Sequence, residues 1–158
     1  RSVECGWYRV YSGADQGQHH SGSGVKAFIL DASLAIAWFF PDPQDDPTAM
    51  GKRSLFDERV ALVPTRWRAE IVNFVARQQT KGRISAAQAA EMLHHIMQLP
   101  MGVVEDPTPA ELLALSTRFQ LTAYDALYLH AAMVSGEPVA TLDAGLARAA
   151  DLAGVELV

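Results

Sequence analysis

From residue 25 to the end of the chain, short apolar runs alternate with longer stretches of helical period. Residues 25–31 (VKAFILD) form an apolar run that ends in an acid, the pattern of a strand buried on both faces. Residues 32–40 (ASLAIAWFF) read as a short helix, closed by the turn-forming PDPQDDP of 41–47. Residues 48–59 (TAMGKRSLFDER) read as a second helix and 60–64 (VALVP) as a second strand. A long helix follows over 65–82, with Thr65 as its N-cap and Gly82 as its stop. Ser85 caps the next helix, over 85–99, and 101–106 (MGVVED) is a third strand. Thr108, Pro109 and Glu111 make a capping box that opens a helix over 108–120. Another helix spans 122–136, 138–143 (PVATLD) is a fourth strand, 143–154 is helical, and 155–158 (VELV) is a candidate fifth strand.

Strands that are apolar on both faces and separated by helices predict a three-layer α/β/α sandwich around a parallel sheet of four to five strands. The folded domain is expected over 26–158. Residues 1–25 lack an initiating Met, are rich in Gly and Ser, and carry the pair His19 and His20. They read as a leader or an added segment outside the fold, with the histidine pair as a tag remnant rather than a metal site. Their lack of an apolar centre excludes a signal peptide, and Trp7, Tyr8, Val10 and Tyr11 are the residues able to dock on the domain.

Composition narrows the picture. A chain of 158 residues with 49% hydrophobic and 20% charged residues is an ordinary globular domain, large enough to bury a core without staples. A single cysteine, Cys5, excludes an intrachain disulfide framework. No apolar run approaches the roughly 20 residues of a membrane helix, so no membrane association is expected and a cytoplasmic location is. The net charge of −5 argues against gripping nucleic acid by bulk positive charge. It leaves open a nucleic-acid enzyme whose acids hold metal ions, so the placement of the acids decides.

In open parallel sheets, ligands bind beyond the carboxyl ends of the strands. Asp31 ends the first strand and Asp143 the fourth; each also reads as the N-cap of the following helix. Asp125 falls in the first turn of a helix capped by Thr122, and capping is again its alternative role. Glu70 borders the stripe of Trp67, Ile71, Phe74 and Val75, where a charge is costly unless it is paired or ligated. Its alternative is to snorkel outward or pair with Arg66 or Arg77. Four carboxylates at one sheet edge would repel each other and take up protons unless a cation intervened. Ligation by oxygens alone favours Mg²⁺ or Mn²⁺ over zinc. His94 and His95 are neighbours on one helix and His130 stands alone, so no zinc set is formed, and all three read as surface or core residues.

The ordered set FILDAS, RAEIVN, TAYDALYL and VATLDAGL, followed by AADLAGVELV, resembles the PIN-domain ribonucleases, and among them the VapC-type toxins of bacterial toxin–antitoxin pairs. The likeness covers roughly residues 25–158. It implies a Mg²⁺ or Mn²⁺ site of one or two ions, formed by Asp31, Glu70, Asp125 and Asp143. It also implies that Ser33 and Thr141 orient ligands or substrate. Some members carry a further acid after the last Asp; here Ala144, Gly145 and Ala147 stand in that stretch, so a fifth ligand is absent.

The activity this resemblance implies is metal-dependent hydrolysis of RNA phosphodiester bonds, with Asp125 the first choice for a general base. Arg66, Arg68, Arg77, Lys81 and Arg83, with Lys52 and Arg53, are candidates for phosphate contact or form a solvated charged face. The implied partners are an RNA substrate, a small VapB-like antitoxin and a second copy of the chain. Trp38, Phe39 and Phe40 are expected either to meet the antitoxin or to pack in the core. Two other classes remain in view. One is a non-catalytic PIN-like module that binds RNA or protein. The other is a phosphatase-type phosphoryl-transfer enzyme, disfavoured because no lysine follows Lys81 and the first acid lies in Asp-Ala-Ser.

Overall fold

The computed structural model describes residues 10–11, 26–40 and 52–158. Five parallel strands form one sheet: β1 (Val10–Tyr11), β2 (Lys26–Leu30), β3 (Arg59–Pro64), β4 (Met101–Val104) and β5 (Val139–Ala140). Their spatial order is β1-β4-β3-β2-β5. The helices are α1 (Ala32–Phe39), α2 (Trp67–Thr80), α3 (Ala86–Met97), α4 (Pro109–Phe119), α5 (Ala123–Ser135) and α6 (Ala144–Leu152), with a 3-10 turn over Lys52–Asp57. The expected α/β/α sandwich is the architecture found. Among the described residues, no helix is long and apolar enough to cross a membrane.

The order of the strands positions the site. The chain steps from β2 to β3 to β4 in one direction, then returns past both to reach β5. Parallel crossovers are right-handed, so α1 to α3 cover one face of the sheet and α4 and α5 the other. Helix α5 accordingly packs on β2, β3 and β5. After β5 the chain runs through α6 to Leu157, which bridges Val139 on the side away from β2. The connections leaving β2 and β5 therefore diverge at the carboxyl ends of these two strands, where open parallel sheets place their ligands. Asp31 follows one and Asp143 the other.

The centre of the sheet is apolar on both faces, as the sequence pattern requires: Phe28, Ile29, Leu30, Ala61 and Val63 are buried. Trp67, Ile71 and Val75 bury the predicted stripe of α2, and Phe74 is half-buried. Phe56 packs edge-on to Phe28 and Trp38, with ring centroids 5.4 and 5.6 Å apart. Trp38 thus belongs to the core rather than to a binding surface. Phe40 meets Phe74 at 4.9 Å, and Phe39 lies under the guanidinium of Arg53 at 5.5 Å.

Four local expectations change. The second helix is a 3-10 turn, because Leu55 and Phe56 give that segment one apolar anchor instead of a stripe; residues 48–51 lie outside the described residues. VELV contributes a single bridge at Leu157 rather than a strand. Thr65 does not cap α2: its hydroxyl and amide bond the carboxylate of Asp106, which follows the neighbouring strand β4. Arg66 holds the N-cap position without a side-chain bond. Val10 and Tyr11, placed with the leader outside the fold yet named as able to dock on the domain, join its sheet by pairing with Val103 and Val104. Cys5, Trp7, Tyr8, His19, His20 and the turn at 41–47 lie outside the described residues.

Candidate functional site

Asp31 caps α1 from the end of β2 and is 5% exposed. Its Oδ2 accepts the hydroxyl of Ser33 and, at 2.6 Å, that of Thr141. The Thr141 oxygen accepts in turn from the amide of Asp143 at 2.9 Å, and Ser33 accepts from the amide of Leu142 at 3.3 Å. The backbone amide of Asp31 donates to the carbonyl of Ala140 at 3.1 Å. The turn after β2 and the turn after β5 are thereby laced together through two hydroxyls. Burial holds the Asp31 carboxyl above its ordinary value, against the pull of the Ser33 and Thr141 bonds, and the charge of Asp125 adds to it.

Glu70 enters from the first turn of α2 and is half-buried. Burial raises its carboxyl as well, and the charges of Asp31 and Asp125 push the same way. A hydrogen bond from Tyr128 and the charge of Arg66 oppose them. Asp125 lies in the first turn of α5, where its amide donates to Thr122 at 3.2 Å and its carboxylate accepts the Thr122 hydroxyl at 2.7 Å. Strand end, α2 and α5 thus bring Asp31, Glu70 and Asp125 within electrostatic reach of one another.

Asp143 stands apart. It is exposed, and its Oδ1 caps α6 by accepting from the amide of Leu146 at 2.7 Å. Its link to Asp31 runs through the Thr141 hydroxyl. Gly145 keeps that cap open, since a Cβ there would lie 3.0 Å from Asp143 Oδ1.

The donor set is one of oxygens, mutually repelling and partly desolvated, and in chemistry it fits a hard divalent cation. In spacing it is open: among the described residues, no three His, Cys, Asp or Glu side chains form a group that could hold a metal ion as they stand.

Tyr128 escaped the sequence reading. It is 1% exposed, one helical turn after Asp125, and its hydroxyl donates to Glu70 Oε2 at 3.1 Å. Burial, with the charges of Asp31 and Glu70, pushes its phenol far up, so it remains a donor. The signal lay in the spacing Asp125–Tyr128 within TAYDALYL. Trp67, also on this edge of α2, buries its indole nitrogen without a hydrogen-bond partner.

Arg66, Arg68, Arg77, Lys81 and Arg83 are exposed along α2 and just beyond it, and Lys52 and Arg53 lie on the 3-10 turn. Arg83 bonds the side chain of Gln78 at 3.1 Å. Arg66 is near enough to Glu70 to favour its ionised form. His94 and His95 are exposed with ring centroids 5.8 Å apart, and His130 is half-buried within electrostatic reach of Glu111 and Asp106.

Comparison with solved structures finds the same fold. A structure described as PAE2754 from Pyrobaculum aerophilum superposes with a TM-score of 0.63 at 24% identity, covering 84% of this chain and 86% of that one. VapBC2 from Rickettsia felis, bound to a DNA fragment from their promoter, gives 0.59 at 12% identity, with coverages of 84% and 97%. FitAcB from Neisseria gonorrhoeae gives 0.55 at 16% identity, with coverages of 82% and 95%. No curated protein matches the chain in sequence. The model of the PIN domain matches residues 28–152, which span β2 through α6 and all four carboxylates, and the chain belongs to the PIN domain family.

Proposed function

We propose that this protein is a metal-dependent endoribonuclease, the toxin of a VapBC-type toxin–antitoxin pair. One observation carries the reading. Three carboxylates from separate elements, Asp31, Glu70 and Asp125, come together at the carboxyl edge of the sheet: the charges of Asp31 and Asp125 raise the proton affinity of Glu70, and that of Asp125 raises the proton affinity of Asp31. A fold gains nothing from carboxylates held in this way, since their charge is costly until a cation offsets it. Membership of the PIN domain family and the likeness of fold to the VapBC2 structure support the nuclease and its antitoxin partner.

Asp31, Glu70 and Asp125 would hold one Mg²⁺ or Mn²⁺, with Asp143 completing the set or supporting a second ion. Such an ion supplies Lewis-acid chemistry, polarising a phosphate oxygen and making water more acidic near neutral pH. The rest falls to the chain itself. Ser33 and Thr141 fix the rotamer of Asp31, and Thr141 ties it to the Asp143 turn. Asp125, half-buried in the first turn of α5, takes the proton of the attacking water. Arg66, Arg77 and Lys81 contact flanking phosphates and offset the negative field of the site.

The test is cleavage of structured RNA with Mn²⁺ or Mg²⁺, beside a chelated control and Asp31→Asn. Cleavage confined to the metal-loaded native chain is expected; equal cleavage in all three would assign the activity to a contaminant. A second reading, a PIN-fold binding module without catalysis, draws on the open spacing of the carboxylates and the capping role of Asp143. Calorimetry with Mn²⁺ separates the two, since a pure platform gives no heat that depends on these acids.

A further inference from the structure

Tyr128 is the buried polar group at the site that the proposed chemistry leaves unused. Its hydroxyl donates to Glu70 Oε2 at 3.1 Å, and the backbone of Ala32, next to Asp31, is near enough to act on the phenol electrostatically. The ring is held on α5 at 1% exposure, one turn from Asp125. One side chain therefore joins the three elements that deliver Asp31, Glu70 and Asp125. The bond also engages one carboxylate oxygen of Glu70 and leaves Oε1 as the oxygen without a hydrogen bond from the phenol.

We propose that Tyr128 is a positioning residue that restricts Glu70 to single-oxygen ligation and thereby favours small octahedral cations over Ca²⁺. The proposal rests on the reading of the carboxylates as a cation site. Mg²⁺ and Mn²⁺ accept six ligands in a tight octahedron and tolerate single-oxygen carboxylates. Ca²⁺ takes six to eight oxygens and gains from carboxylates that bind through both. A glutamate with one oxygen held by a buried phenol has that oxygen's lone pair engaged and its rotation restrained, which disfavours chelation through both oxygens. Freed of the phenol, Glu70 can present both oxygens.

The experiment is titration calorimetry of the full chain with Mn²⁺ and, separately, Ca²⁺, for the native protein and Tyr128→Phe, with metal-free melting temperatures alongside. Phenylalanine keeps the ring packing. Tyr128→Phe is expected to weaken Mn²⁺ binding about 10-fold or more, the scale seen when the hydrogen-bond partner of a ligand is removed. Ca²⁺ binding should weaken less or strengthen, so the Mn²⁺/Ca²⁺ preference falls. An unchanged preference overturns the proposal, whatever the melting temperature does, and leaves the cation site standing. No Mn²⁺ binding by the native chain overturns the site and Tyr128's role together. A crystal structure of the native chain with Mn²⁺ gives a second check that needs no variant. Glu70 still bonded to Tyr128 and ligating through one oxygen is expected, and chelation through both contradicts the assignment.

Discussion

The hydroxyl of Thr141 donates to Asp31 Oδ2 at 2.6 Å across 110 residues of sequence, while its oxygen accepts from the Asp143 amide at 2.9 Å. One hydroxyl thus orients the most buried acid of the site and shapes the turn that carries the most exposed one. A hydrogen bond to a charged group contributes about 1.5–3 kcal/mol. Thr141→Val keeps the shape and removes the bond, and should lower stability by that order in urea denaturation, whereas Thr141→Ser should recover most of the loss. An unchanged urea midpoint in the valine variant would show that the bond carries no stability.

The raised carboxyls of Asp31 and Glu70 carry a signed consequence. Each binds its proton more tightly in the folded chain than in the unfolded one. Their contribution to stability is full below the ordinary carboxylate value and is lost as pH rises through the raised folded value. In chelator at pH 7, both oppose folding. Asp31→Asn should therefore melt higher than the native chain at pH 7, with the difference shrinking as pH falls toward the ordinary Asp value of 3.8. A variant that melts lower at pH 7 would show that the carboxylate is a structural asset.

Capping and ligation by Asp143 can be separated. Asn caps a helix about as well as Asp, while Ala at this position costs about 0.5–2 kcal/mol. Asp143→Asn should keep the melting temperature and lower RNA cleavage, and Asp143→Ala should lower both. Full cleavage by Asp143→Asn would confine this residue to the cap.

His130 sets a separate acid limb. Burial holds its imidazole below the ordinary value of 6.5, against the charges of Glu111 and Asp106. The folded chain binds this proton less readily than the unfolded one, so the contribution is present above pH 6.5 and lost as pH falls through the lowered value. His130→Gln should flatten the fall in unfolding free energy below pH 6.5. A parallel curve would remove His130 from the acid response.

The central strands, the α-helices that follow them and the places of the four acids on these elements were legible because their signals are local. Apolar runs such as FILD, the Thr108–Glu111 box and acids at strand ends all lie within a few residues. What sequence reasoning missed depends on contacts between distant segments. Thr65 looked like a cap until β4 brought Asp106 beside it. Residues 52–57 carry helix-forming residues, yet Phe56 is anchored by Phe28 and Trp38 in a shorter turn. Tyr128 carries no signal of its own in the sequence, and only the approach of α2 to α5 makes it the partner of Glu70. Glu70 itself was the better clue, being a charge beside an apolar stripe that no neighbour in sequence fully explained.

The central claim is that Asp31, Glu70 and Asp125 share a divalent cation, and the melting temperature with and without Mn²⁺ tests it most directly. A ligand at 100 times its dissociation constant stabilises the folded chain by about 2.7 kcal/mol. The account predicts a rise of that order for the native chain, lost in Asp31→Asn and sharply reduced in Asp125→Asn. An equal rise in all three chains, or none in any, would contradict it.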